Sequence, residues 1–332
     1  MIIRIVESSE DLKSFCEFEN PELGIKVSDM GNIKDLGADF HIFAENDGKV
    51  EARSSLWVNS SLKTEGKNIG FIGNFSTQSK EAAFMILDFA KELMKKNGIQ
   101  VMIGPLNGST WNEYRFLTWL EGEPFFLEPH NPPEWPFFFR EYSFEVLASY
   151  YSVLVEDINK KNKRLESLKK RKYYDNIEIR NLSRENFTEE IKDIYELSLK
   201  AFKNNFLYTE IPKEKFLQSY MKFKEMLDYR LVYLAYSKEK LAGFVFAYPD
   251  FNERKYKEKI ETVILKTLAV DKEFQGIGLG YILADMVNES ASGAGYSHVI
   301  QALIHENNVS RKMAESYGKI KSKYELYKLE VI

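Results

Sequence analysis

The chain has 332 residues, 44% hydrophobic and 29% charged, enough for two cores of ordinary size. Its 46 basic and 50 acidic residues leave a net charge of −4, so no basic excess draws it onto nucleic acid or an anionic membrane. A single cysteine (Cys16), four scattered histidines and no apolar run of about 18 residues argue against a disulfide framework, a metal site and a membrane span.

The start, Met1 to Val6, is too short and too charged beyond it for a signal peptide, and a cytoplasmic protein is expected. Residues 40–44 and 50–58 read as strands flanking a turn at Asn46, Asp47 and Gly48. Residues 69–75 form a strand, 80–96 an amphipathic helix and 100–103 a further strand. A basic stretch follows between about residues 156 and 174, where Lys160, Lys161, Lys163, Arg164, Lys169, Lys170, Arg171 and Lys172 surround only Leu165 and Leu168. A solvated linker or surface helix is weighed there against a basic patch for phosphate or nucleic acid. The spacing places a domain at 1–158, a basic linker at 159–173 and a second domain at 174–332.

The second half alternates strands and helices. Residues 177–180 are a strand, and 188–202 a helix with Thr188 as its N-cap. Pro212 opens a helix over 213–227. Residues 231–236 and 242–247 pair as a hairpin about Lys238, Glu239 and Lys240. A strand over 262–270, a helix over 278–292, a strand over 297–304, a short helix over 310–317 and a strand over 324–331 complete the pattern. Hairpin, strand, helix and strand recur in both halves, with Gly98 and Gly295 at matching places, which points to a structural repeat.

The informative segment runs Leu268, Ala269, Val270, Asp271, Lys272, Glu273, Phe274, Gln275, Gly276, Ile277, Gly278, Leu279, Gly280. It leaves a strand and opens a helix, so close backbone approach and the positive helix end suit a pyrophosphate. Glycines at alternate positions do not fit the dinucleotide fingerprint, and no Gly-Lys-Ser/Thr ending makes a Walker loop. A plain tight turn stands beside the phosphate reading.

Leu-Ala-Val, an acid, a short turn and Gln-x-x-Gly-x-Gly closely resemble the acetyl-CoA signature of the GNAT superfamily of N-acyltransferases. Asn307, Ser310, Met313 and Gly318 fall on its second pattern. The resemblance implies an α/β fold of α+β type, with a mixed, mostly antiparallel central sheet flanked by helices and two parallel strands splayed apart. Acetyl-CoA would then be the co-substrate, with no metal. Its pantetheine would lie along Leu268, Ala269 and Val270. Its pyrophosphate would rest on Gln275, Gly276, Ile277, Gly278, Leu279 and Gly280, with Asn307 and Ser310 at the following loop. The first half has Asn74, Phe75, Ser76, Thr77, Gln78, Ser79 and Lys80 where those glycines belong. The chain thus resembles a tandem GNAT protein with a degenerate first half and one competent site.

The resemblance implies transfer of an acyl group to an amine, small molecule or peptide, by direct attack on the thioester. A non-catalytic CoA-binding sensor or regulatory module is the alternative, because Ala314 stands where the family often has an acidic tyrosine. Tyr317, His305, Glu306, Glu261 and Thr267 are weighed for catalysis, each with a structural reading beside it, and none is assigned; the pattern names no oligomeric state. Two features of the first half could serve an acceptor or simply pack. One is the aromatic set Phe125, Phe126 and Trp135 to Phe139; the other is the loop from Asn107 to Arg115, with Trp111, Glu113 and Tyr114.

Overall fold

The computed structural model describes residues 1–18, 37–159, 167, 176–316 and 318–331. The expected linker at 159–173 lies almost wholly outside the described residues. In chain order come β1 (Ile2–Ile5), α1 (Ser9–Glu17), β2 (Phe40–Asn46), β3 (Lys49–Trp57), β4 (Lys63–Thr64) and β5 (Lys67–Thr77). They are followed by α2 (Lys80–Lys96), β6 (Val101–Gly104), β7 (Phe116–Leu120), α3 (Glu134–Glu141) and β8 (Glu145–Val155). Next are β9 (Ile177–Asn181), α4 (Phe187–Phe202), α5 (Lys213–Met221), β10 (Val232–Ser237) and β11 (Lys240–Pro249). The chain closes with β12 (Thr262–Val270), α6 (Leu279–Gly293), β13 (His298–His305), α7 (Val309–Glu315) and β14 (Lys319–Glu330).

Local chemistry explains most of these boundaries. Asp47 and Gly48 both have positive φ (50° and 79°), the turn a two-residue hairpin demands between β2 and β3. Gly98 and Gly295 (φ 73° and 89°) sit in the left-handed position two residues beyond α2 and α6, so the matching glycines end matching helices. Helix α4 starts at Phe187 behind Asn186 rather than behind Thr188, and α5 stops at Met221, short of residue 227.

The chain divides into two compact units. The first contains Met1–Trp119, Pro129–Ser149 and Lys323–Ile332; the second contains Leu120–Glu128 and Tyr150–Ser322. These units do not follow a single cut at 159–173, because hydrogen bonding assigns two strand segments across it. In the first unit the sheet order is β1-β2-β3-β5-β6-β14, antiparallel except for β5 beside β6. Tyr327 to Glu330 complete it by pairing with Gly104 to Val101. The core lies between this sheet and α2 and α3, with Ile42, Leu56, Ile86, Leu87, Phe139 and Tyr327 fully buried.

The second unit has the order β8-β13-β12-β11-β10-β9, antiparallel except for β12 beside β13. Residues 150–155 of β8 supply its edge. Val245 of β11 packs with Leu279, Leu283 and Val287 of α6. Its neighbour Phe246 meets Tyr220 of α5 edge-on at 5.0 Å. Successive strand residues point to opposite faces, so α6 and α5 cover opposite faces of the sheet. Segment 120–128 is tied into this unit by the Phe126 N–H, which donates to Asp250 Oδ1 at 2.8 Å. Lys321 Nζ also donates to the carbonyls of Glu121 and Glu123.

Gly318 shows how closely the elements approach. A Cβ there would lie 2.0 Å from the Leu154 carbonyl oxygen, a backbone atom of β8 that cannot move aside. Gly318→Ala is expected to destabilise the folded chain by about 2 kcal/mol or more, as a chemical-denaturation midpoint shift would register.

Candidate functional site

The parallel ladder between β12 and β13 is short. It pairs Thr262 with His298 and ends at Leu265 with Gln301, although both strands continue. Immediately beyond that rung each strand carries an irregularity. On β12 the partners of Phe246 and Ala247 are Thr267 and Leu265, so Lys266 is an extra residue. On β13 the partners of Tyr151 and Val153 are Ile304 and Gln301, so Ala302 and Leu303 together face Ser152. Leu303 has φ 61°, a left-handed conformation that costs a leucine roughly 1–2 kcal/mol. Residues 266–270 of β12 and 302–305 of β13 therefore border an open wedge. Along the β12 side, residues 267–270 have no parallel partner strand.

The start of β12 is anchored. Glu253 is buried and accepts from the Glu261 N–H (2.6 Å), the Thr262 N–H (3.0 Å) and the Thr262 hydroxyl (2.8 Å), while Lys257 Nζ lies 2.8 Å away. Burial pushes its carboxyl up, but the Lys257 ammonium and these donors outweigh burial and hold it below the ordinary 4.5. Glu261, weighed as a base, lies at this paired end and is ion-paired to Lys257 at 2.8 Å. Its structural reading is the one the geometry supports.

At the other end β12 runs into the glycine loop. The Asp271 N–H donates to Ala242 O at 2.8 Å, and Asp271 Oδ1 accepts from the Glu273 N–H at 3.0 Å. Lys240 Nζ stands 3.0 Å from its other oxygen. Burial raises this carboxyl, yet the Glu273 N–H and Lys240 leave it below its usual value. Gln275 Nε2 closes the loop onto Val270 O at 3.1 Å. Gly276 and Gly278 take φ 81° and 98°, which only glycine adopts without strain. Gly278 is the N-cap of α6 and makes no side-chain capping bond. The first-turn N–H groups of a helix have no partner within it, so those of Leu279 and Gly280 are presented outward with the positive helix end. A Cβ on Gly280 would come 3.7 Å from the side chains of Leu268 and Val270. Strand edge and loop thus form one continuous surface, while the side chain of Leu279 is spent in the core.

Across the wedge, β13 ends at His305. The Asn307 N–H donates to His305 Nδ1 at 3.1 Å, and the imidazole meets Tyr150 at 5.0 Å and Phe206 at 5.8 Å. Asn307 is exposed. The side chain of Asn308, which the motif did not single out, accepts from the N–H and hydroxyl of Ser310 and so caps α7. Ala314 is fully buried against Val153 and Ile304. Thr267 is half-buried on the wedge, Glu306 lies in the turn after β13, and Tyr317 is outside the described residues. The irregularities at Lys266 and Leu303 are what sequence reasoning missed. No glycine or proline marks either, so the chain carried no signal for them.

The first unit has the same strand arrangement with its openings filled. Its parallel pair ends at Phe71 with Ile103. The chain then turns back: the Leu106 N–H donates to Ile72 O at 2.8 Å, and Asn107 Oδ1 accepts from the Asn74 N–H at 2.7 Å. Gly73 is required because a Cβ there would lie 2.4 Å from Asn107 Oδ1 and 2.5 Å from Leu106 O. Helix α2 is likewise capped from within, its Ala82 N–H donating to Ser79 Oγ at 3.2 Å. The loop weighed for an acceptor is held together by its own contacts. Asn107 bonds to Glu113 O through its N–H, and Arg115 is buried over the Tyr114 ring at 4.0 Å. Trp135 and Phe139 belong to the core of the first unit, while Phe126 packs on Tyr248 and Phe251 in the second.

Among the described residues, no helix is long and apolar enough to cross a membrane, and no three His, Cys, Asp or Glu side chains gather to hold a metal ion. Residues 191–318 match the acetyltransferase (GNAT) family model. The chain is 21% identical over 281 residues to a bacterial ceramide synthase of Caulobacter vibrioides, covering 77% of this chain and 73% of that one. It resembles a solved tandem GNAT protein from the clavulanic acid biosynthesis pathway, with TM-score 0.52 and 11% identity over 100% of this chain and 99% of that one. A GCN5-related glucosamine N-acetyltransferase region of a fungal multi-domain GH3 β-N-acetylglucosaminidase gives TM-score 0.56 and 13% identity. That match covers 99% of this chain, which spans only 38% of the fungal protein.

Two outcomes follow from these contacts. Asn107→Ala strands the buried Asn74 N–H and should cost about 1–3 kcal/mol of stability by denaturant titration. Glu253→Gln should destabilise by about 2 kcal/mol near neutral pH. Because folding lowers this carboxyl, its contribution is full above pH 4.5 and lost as pH falls through the folded value. The two melting temperatures should therefore converge in acid.

Proposed function

We propose that this chain, whose second unit is a GNAT-family domain, is an acyltransferase that uses acetyl-CoA to acylate an amine. One contrast carries the reading. The second unit leaves open both an unpaired strand edge and an uncapped helix N-terminus, joined by a glycine loop, whereas the first unit satisfies both from its own chain. An amide-bearing arm is recognised by pairing with the edge of β12, and a pyrophosphate by convergent N–H groups. These residues fit CoA: Leu268, Ala269 and Val270 for the arm, Gln275 to Gly280 for the diphosphate, with Asn307 and Ser310 across the wedge.

The thioester supplies the activated acyl group. The chain would orient it, and an edge N–H of β12 would donate to the oxygen charge that develops as an amine attacks, the CoA thiolate then leaving and taking up the proton the amine gives up. The similarity to a ceramide synthase is compatible with this class, since a ceramide is an amide of a long-chain amine. A second reading, a CoA-binding sensor without catalysis, is favoured by the apolar burial of Ala314 where an acidic tyrosine is common.

Calorimetry with acetyl-CoA should give one site per chain, and Gly278→Asp should weaken it tenfold or more, about 1.4 kcal/mol. Thiol release across a panel of amines then separates enzyme from sensor. Two equivalent sites, or unchanged affinity in the folded variant, would overturn the assignment.

A further inference from the structure

We propose that Ser152 is a positioning residue that holds the cofactor wedge open by pinning the backbone of Leu303. The proposal rests on the reading of the wedge as the acetyl-CoA site. Ser152 is fully buried in β8, directly opposite the bulge in which Ala302 and Leu303 of β13 together face it. The Leu303 N–H has no ladder partner at that point; it donates to Ser152 Oγ at 3.1 Å. Leu303 is the residue in the left-handed conformation, φ 61°, and it lies two positions beyond the last rung that joins β13 to β12.

These facts form one device. A leucine left to itself returns to an extended conformation, which carries β13 on as a regular strand. A regular β13 would extend its parallel ladder beside β12 past Gln301, closing the edge at residues 266–270. The hydroxyl supplies the acceptor that makes the irregular conformation the better one, and Ile304 is carried into the core against Val153 and Ala314. Residue 152 thus governs the cleft without facing a ligand.

The full-length protein tests this with two readouts, acetyl-CoA affinity by calorimetry and amide exchange at Leu303. Ser152→Ala should lower affinity about tenfold and speed exchange at Leu303. Glycine adopts positive φ without a pin. Leu303→Gly in the Ser152→Ala background should therefore bring affinity back to within about threefold of the parent. Leu303→Val, with Ser152 intact, should lose affinity because a β-branched side chain resists that conformation. Should Ser152→Ala fold poorly, the Leu303→Val variant carries the test. Parent-level affinity in folded Ser152→Ala or Leu303→Val, or no rescue by glycine, overturns the proposal. Absence of acetyl-CoA binding by the unaltered protein overturns the functional reading instead.

Discussion

A single rung, Leu265 beside Gln301, is where two parallel strands stop being partners. Before it the sheet is continuous, and the buried Glu253 fixes the start of β12 by accepting three hydrogen bonds. After it the same strand is paired on one edge, toward β11, and has no strand beside it on the other. Backbone groups that lose a partner must find another or stay solvated. The glycine loop extends this condition by presenting a helix end that no side chain caps. What sets the second unit apart is a strand edge with no parallel neighbour and a helix end opened by glycine.

The first unit shows what the same arrangement becomes when it completes itself. Asn107 places a side-chain amide oxygen on the Asn74 N–H, and Leu106 places its own N–H on Ile72 O. An amide and a peptide from the chain thus occupy the place that, in the second unit, is open. Ser79 caps α2 with its hydroxyl, whereas the N-cap of α6, Gly278, has no side chain to do so. The two units differ less in fold than in whether their polar edges are closed.

Much of this was legible in the residues. Alternating apolar strands, the hairpin turn at Asp47 and Gly48, and the matched Gly98 and Gly295 gave the repeated order of elements. The glycines at 276, 278 and 280 gave the loop, since positive φ and close approach leave few other choices. The strand irregularities were hidden, because Lys266 and Leu303 are ordinary strand residues forced by tertiary contacts. So was the pairing of residues 150–155 with β13, a strand far along the chain. The aromatic residues misled in a simple way: Phe125 and Phe126 are separated from Trp135 by few residues, yet they pack in a different unit. Proximity in sequence says little about which core a ring will join.

The sheet of the first unit is finished by Tyr327 to Glu330, whose partners at Val101 to Gly104 precede them by more than two hundred residues. Loop closure over that span is entropically expensive and slow. During synthesis β6 therefore emerges with one edge unpaired and must wait while all of the second unit is made. Tyr327 and Leu329, two members of the first unit's apolar core, arrive only then. A nascent chain stalled anywhere in the second unit would expose that edge and the unfilled side of the core to chaperones or to other chains. Strand exchange between the halves thus couples quality control of the first unit to completion of the second.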